Sequence, residues 1–274
     1  MNVMIIPDLH GRKFWRKTIV NNIEQVDKII FLGDYLDPYG NEIEENPELM
    51  ECEGFGDAKN LLNMLNDIVG LKKNEPEKYI LLTGNHTDSY IWSKFNAATR
   101  TDYKNWEKYH KFFLENLEYF NLVWTENNCI FSHAGISEKW AKVFLEDYME
   151  YNESALEGIS YTKECAEVLR DTSLKDFNIH YINAISNISF YRGGPVDEGS
   201  CEWADIREHI DFKNSTSDKV IGLGEEGIFQ IFGHTQLKNK FICDKWACLD
   251  CRKGFIVDTL THDIKDASDN SFRE

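Results

Sequence analysis

No apolar run in the 274-residue sequence approaches the ~20 residues needed to cross a bilayer, and the opening MNVMIIPD lacks a basic segment followed by a long apolar stretch. A cytoplasmic protein with no membrane partner is expected. A disulfide framework is missing too, since seven cysteines are an odd number scattered over a long chain, the pattern of reduced thiols. Positive charge is scarce. Thirty Lys and Arg against 47 Asp and Glu leave a formal net charge of −17, whereas binding extended nucleic acid requires many cations to neutralise phosphates. This excludes a broad nucleic-acid footprint and leaves room only for a local basic groove. The acidity itself reads as a solvated surface. No internal repeat is visible.

What is present suffices for a sizeable core. Hydrophobic residues make up 42% of the chain, and its length fits one large α/β domain over residues 1–265, with insertions near 38–56 and 137–186 and a polar tail over 266–274. Five short runs, Val3 to Ile6, Ile29 to Leu32, Tyr79 to Leu82, Cys129 to Phe131 and Ile228 to Phe232, are rich in β-formers and too short for helices. Between them lie helical patterns. Ala58, Leu61, Leu62, Leu65, Ile68 and Val69 share one face at helical spacing, as do Phe14, Trp15, Ile19 and Ile23. Tyr103, Trp106, Tyr109, Phe113 and Leu117 form an aromatic stripe that reads as packing, and the stretch from Ser137 to Ser186 reads as mostly helical. Pro38 to Gly56 is a glycine-punctuated loop carrying Glu42, Glu44, Glu45, Glu48, Glu51 and Glu53. Strands alternating with helices place ligands beyond the carboxyl ends of the strands, so the polar residues there matter most.

Each predicted strand runs into residues of metal-ligand type: Asp8 and His10 in PDLHG, Asp34 and Asp37 in GDYLD, Asn85 and His86 in GNH, His133 in SHAG, and His234 in GHT. Any one of these alone reads as a turn or a satisfied polar residue. Five in order at strand ends read as a metal site. Carboxylate, imidazole and amide oxygen suit Mn²⁺, Fe and Zn²⁺, and the motifs contain no thiolate. Cys243, Cys248 and Cys251 form a C-x4-C-x2-C cluster without a nearby fourth ligand, so ordinary thiols are expected there. His110, His180, His209 and His262 lie outside the motifs and read as surface or packing residues.

With these motifs the chain resembles the calcineurin-like metallophosphoesterases, nearest the branch of Ser/Thr protein phosphatases and diadenosine tetraphosphate hydrolases, from about Val3 to Asp258. The resemblance implies a four-layer αββα sandwich of two mixed β-sheets flanked by helices. It implies that Asp8 and His10 bind a first metal, that Asp34 bridges, that Asn85, His133 and His234 bind a second, and that His86 with Asp37 forms a general-acid dyad. The implied cofactors are two divalent transition-metal ions, Mn²⁺ first, with Fe, Zn²⁺ or Ni²⁺ as alternatives. Two metals about 3.5–4 Å apart can hold a bridging hydroxide for in-line attack on phosphate. The implied partner is a phosphorylated small molecule, nucleotide or phosphoprotein; the competing readings are a non-catalytic scaffold of the same fold and a nucleic-acid end-processing phosphoesterase. The phosphatase branch follows GDxxD with Arg-Gly, but Asp37 is followed here by Pro38 and Tyr39. A replacement cation is needed for the substrate phosphate, and Arg192 in FYRGG is the expected one beside Asn85, with Arg12 and Arg100 as competitors.

Overall fold

The computed structural model describes residues 1–39, 58–95, 97–150, 156–209 and 227–267. The acidic loop from Glu42 to Glu53 and the last residues of the polar tail lie outside these. The described chain forms an α/β fold of two mixed sheets flanked by helices. Its backbone divides into two compact units: 1–81 with 86–120 and 252–274, and 82–85 with 121–251.

The first sheet is centred on β1 (Asn2–Ile6), β2 (Lys28–Phe31) and β3 (Tyr79–Leu82). Their continuous apolar runs suit strands covered on both faces, and such strands pair in parallel. Register confirms this, from Val3 opposite Lys28 to Ile6 opposite Phe31, and from Ile29 opposite Tyr79 to Phe31 opposite Leu81. With β4 (Phe120–Asn121), β10 (Phe255–Asp258) and β11 (Ile264–Asp266) the strand order is β11-β10-β1-β2-β3-β4. β10 is antiparallel to β1 and β11 to β10, which makes the sheet mixed. Asp266, placed in the tail by its polarity, is the last residue of β11 and pairs with Phe255.

Helices of this unit follow the expected periodicity. Within α1 (Phe14–Asn22), Trp15 and Ile19 are buried. α2 (Ala58–Asn74) buries Ala58, Leu61, Met64, Leu65, Ile68 and Val69; Met64 faces the core fully and Leu62 sits at its edge. Lys72 and Lys73 in its last turn complement the helix dipole. The short α3 (Asn85–Ile91) follows β3, and α4 (Trp106–Asn116) buries Tyr109, Phe112 and Phe113. Tyr103, expected in the same stripe, lies before the helix and is exposed.

The second sheet has the order β5-β6-β7-β9-β8, from β5 (Val123–Glu126), β6 (Cys129–Ser132), β7 (Phe229–Phe232), β8 (Phe241–Ile242) and β9 (Trp246–Cys248). β6, β7 and β9 run parallel, with β5 and β8 antiparallel at the edges. The stretch from Ser137 to Ser186 holds α5 (Glu138–Val143), α6 (Tyr161–Asp171) and α7 (Ile179–Ile185). Ser137, Ser160 and Asn178 cap them, their side-chain oxygens accepting from Trp140, Lys163, and both His180 and Tyr181 backbone N–H groups. No helix among the described residues is long and apolar enough to cross a membrane.

In this unit Ile206, Phe232, Trp246 and Cys248 pack into one buried cluster. The Trp246 ring is fully buried, 5.3 Å from Phe232 and stacked 5.0 Å from Phe241. Trp246→Ala is therefore expected to cost about 3–5 kcal/mol of unfolding free energy, measured by urea denaturation. A loss under about 1 kcal/mol would show that this cluster does not support the second sheet.

Candidate metal centre

Because β1, β2 and β3 are parallel, their carboxyl ends lie along one edge, and each delivers a polar loop there. Main-chain bonds tie the first two loops together: the N–H groups of Leu9 and His10 both donate to the Asp34 carbonyl, at 3.0 and 2.7 Å, and Gly11 donates to Tyr35. Such tight turns demand left-handed backbone. His10, Asp34 and Asp37 have φ values of 44°, 47° and 60°, unusual for residues bearing a Cβ. Asp and His tolerate this conformation better than branched residues, so the ligand types also suit the turns. Gly11, at φ 79°, has no such choice, and a Cβ there would meet Leu61 Cδ2 at 3.0 Å.

These loops form one group of candidate donors in the first unit. His10, Asp34 and His86 offer ligand atoms within 4.8 Å of one another, all buried. His10 Nδ1 lies 2.9 Å from the Leu36 carbonyl, which assigns it the proton and leaves Nε2, 3.6 Å from Asp34 Oδ2, unprotonated. Burial, then the neighbouring His86, Arg12 and Arg100, hold the His10 pKa well below its ordinary value against the pull of Asp34, so the imidazole stays neutral, as ligation requires. Asp34 Oδ1 accepts from the His86 N–H at 3.0 Å, at the start of α3. Asp8, 1% exposed, ends the same strand as His10; its carbonyl accepts from Arg12 Nη1 at 3.3 Å. Its carboxylate is not part of the three-residue group.

His86 and Asp37 meet as expected, with His86 Nδ1 at 2.9 Å from Asp37 Oδ2. The second oxygen of Asp37 is held by a residue that the motifs do not contain: the Tyr90 hydroxyl donates to Oδ1 at 2.5 Å. Burial raises the Asp37 pKa above the usual carboxylate value, partly offset by its bonds from His86 and Tyr90. The signal for Tyr90 is its position, one helical turn after His86.

The second unit carries a donor group of its own. Asn85 Oδ1 and His234 Nδ1 lie 3.0 and 3.1 Å from His133 Nε2. Ligands about 2.1 Å from one ion are separated by about 3.0–3.4 Å, so these three atoms already stand at the spacing of shared coordination. His234, like the turn residues of the first unit, is left-handed at φ 62°. Its loop is fastened from below by the Cys248 thiol, which donates to the Gly233 and Thr235 carbonyls, and by Gly233 N–H to the His133 carbonyl. Cys248 is thus a loop anchor, and Cys243 points its thiol to the Trp246 carbonyl. His209 is a packing residue, fully buried against Phe232 and Trp246, with a pKa pushed down to about 3 by burial.

Arg192 lies on the His234 loop: Nη2 donates to Thr235 Oγ1 at 2.8 Å and to the His234 carbonyl at 3.4 Å, while Nε pairs with Asp205 at 2.7 Å. Gly194 serves the loop's own closure, since a Cβ there would sit 1.9 Å from the Ile188 carbonyl oxygen. In the first unit, Arg100 stacks 3.5 Å over the Tyr39 ring and donates to the Asp37 carbonyl at 2.9 Å, and Tyr39 packs edge-on to His10. Tyr39, the departure from the family motif, therefore supports a cation of its own.

Comparison with known proteins agrees with this geometry. The model of the calcineurin-like phosphoesterase family matches residues 1–235. Among solved structures, the cold-active protein-tyrosine phosphatase of a psychrophilic Shewanella species superposes with a TM-score of 0.52 at 13% identity, covering 97% of this chain and 80% of that one. A further cold-active protein tyrosine phosphatase structure gives 0.50 at 15% identity, covering 100% and 80%. At such identities the likeness is one of fold alone. No curated protein matches the chain. The extent of the family match nevertheless leaves one assignment: the chain belongs to the calcineurin-like phosphoesterases.

Proposed function

We propose that the chain is a metal-dependent phosphoesterase, built as one domain over residues 1–265, in which Asp8, His10, Asp34, Asn85, His133 and His234 hold two divalent ions with Asp34 shared between them. The observation that carries this reading is the convergence of donors on motifs in the family's order: His10 and Asp34, buried, within a group whose atoms lie within 4.8 Å of one another, and Asn85, His133 and His234, with Asn85 Oδ1 and His234 Nδ1 3.0 and 3.1 Å from His133 Nε2. Their chemistry fits: a neutral His10 with its proton fixed on Nδ1, and an amide oxygen and two imidazoles without a thiolate. Bound there, two ions would supply an activated water and positive charge for the phosphate oxygens. Mn²⁺ is the first choice, then Fe, Zn²⁺ or Ni²⁺. The substrate class is a phosphorylated metabolite, nucleotide or phosphoprotein. The intact donor set leaves the scaffold reading without an observation in its favour.

The chain's own residues do the rest. With Nδ1–H committed to Asp37, His86 in its doubly protonated form presents Nε2–H as the proton handed to the departing oxygen, which leaves the ring neutral with its remaining proton on Nδ1. Asp37 keeps that tautomer and orientation. Asn85 and Arg192 are the proposed phosphate contacts; Arg192 uses Nε on Asp205 and Nη2 on Thr235 and the His234 carbonyl, which leaves Nη1 for a ligand oxygen.

Purified protein reconstituted with Mn²⁺ is expected to hold two ions per chain by elemental analysis, and Asp34→Asn to lose metal together with hydrolysis of an aryl phosphate. Unchanged metal content and rate in Asp34→Asn would sink the proposal. His86→Ala is expected to keep its metal and lose about 10²–10⁴-fold in rate on an alkyl phosphate, with a much smaller loss on an activated aryl phosphate that needs no protonation. Metal loss in this variant would instead make His86 a ligand. Arg192→Lys, which keeps charge but loses the planar fork, is expected to raise KM and weaken inhibition by inorganic phosphate with folding and metal intact. If neither parameter moves in Arg192→Lys or Arg192→Ala, the phosphate cation is Arg100 or Arg12.

A further inference from the structure

α3 is a seven-residue helix with His86 and Tyr90 at positions i and i+4, on one face, and Asp37 lies against both. Each residue takes one carboxylate oxygen: His86 Nδ1 is 2.9 Å from Oδ2 and the Tyr90 hydroxyl 2.5 Å from Oδ1. A phenol oxygen has one proton to give, and here the direction of giving is determined. The Asp102 N–H donates to the Tyr90 oxygen at 2.9 Å, so the hydroxyl proton points to Asp37. A single hydrogen-bond chain results, from Asp102 N–H through Tyr90 O–H to the carboxylate, which also accepts from His86.

The ring that carries this hydroxyl is itself immobilised. Tyr90 is fully buried, packs edge-on to Tyr109 at 5.2 Å and stacks on Phe113 at 6.3 Å. Its carbonyl accepts from His110 Nδ1 at 2.7 Å. His110 in turn stacks on Trp106, whose indole N–H donates to the Ser89 carbonyl one residue before Tyr90. α4 thus supports the helix that bears His86 through two main-chain carbonyls, of Tyr90 and Ser89.

We propose that Tyr90 is a positioning residue for the His86–Asp37 pair: its hydroxyl stops the buried carboxylate from rotating, and the carboxylate then holds the His86 proton on Nδ1, with Nε2 kept 3.9 Å from Asp34 Oδ2. Asp37 without this bond keeps a buried, unsatisfied oxygen and swings to find another donor, and the imidazole loses its fixed tautomer. A packing role alone needs the ring and has no use for the hydroxyl. The inference rests on the reading of His86 as general acid given above.

Tyr90→Phe preserves the ring and removes only the hydroxyl. In the metal-loaded protein the expected loss in kcat is about 10–100-fold on an alkyl phosphate and under about 3-fold on an activated aryl phosphate, with KM and metal content unchanged. Combined with Asp37→Asn, it is expected to add no further loss, because both changes disable one unit. Equal losses on the two substrates, no loss on either, or losses that multiply in the double variant would each overturn the assignment. A parent protein that hydrolyses no phosphate ester would overturn the catalytic reading instead, and the positioning chain is then read separately by NMR of metal-free parent protein. There the Tyr90 hydroxyl and His86 Nδ1 protons are expected as slowly exchanging downfield resonances, and Tyr90→Phe removes the first and shifts the second. Absence of both from the parent spectrum overturns the inference even if the variant fails to fold.

Discussion

Asp34 is the residue on which the first unit's site depends. Its carbonyl receives two N–H groups from the loop after β1, and its carboxylate receives the first free N–H of α3, so one residue at the end of β2 joins three strand ends. Each of those donors would otherwise be an unpaired group in a buried place, at a cost of about 1–3 kcal/mol. The left-handed backbone at Asp34 and His10 has the same origin, since the two loops approach closely enough to exchange main-chain bonds only by turning sharply. Strain and ligand convergence are two outcomes of one constraint.

The buried polar groups around this residue are organised by tautomer. Leu36 and Asp37 each take an Nδ1, of His10 and His86 respectively, and both imidazoles direct Nε2 toward Asp34 Oδ2, at 3.6 and 3.9 Å. Because burial and the nearby guanidinium groups keep His10 neutral, that nitrogen retains its lone pair at neutral pH. A hydrophobic replacement at Leu36 would leave the arrangement intact, as the acceptor is main chain. Replacement of Asp37 would not.

Electrostatic supply of a cation takes a different route from the family motif. Where Arg-Gly is usual, Pro38 and Tyr39 follow Asp37, and the Tyr39 ring is the platform over which Arg100 lies. In the second unit Arg192 is neutralised by Asp205, which Arg207 also engages, so its charge is shared before any ligand arrives. Asp205 is buried yet sits below the ordinary carboxylate pKa: burial would raise it, and the Arg207 hydrogen bond with the two guanidinium charges outweighs that effect.

Periodicity and motif order by themselves determined five of the described strands and the buried faces of the first two helices, and named the candidate site residues. Five apolar runs became β1, β2, β3, β6 and β7 to within a residue, because short β-rich segments buried on both faces have few other places to go. The motifs named Asp8, His10, Asp34, Asp37, Asn85, His86, His133 and His234 because metal chemistry restricts both the residue type and its place after a strand. Tyr90 escaped because a tyrosine inside a helix carries no motif, and only the folded helix shows that it shares a face with His86. Arg100 was named in sequence only as a competing cation; that it reaches the Asp37 carbonyl, 63 residues earlier in the chain, depends on tertiary structure. Cys248 was legible as a thiol near a strand end, while its use as an anchor for the His234 loop depends on where β9 pairs with β7. Local patterns encode what each segment can do alone; hydrogen-bond partners distant in sequence are selected by packing, which no local pattern records.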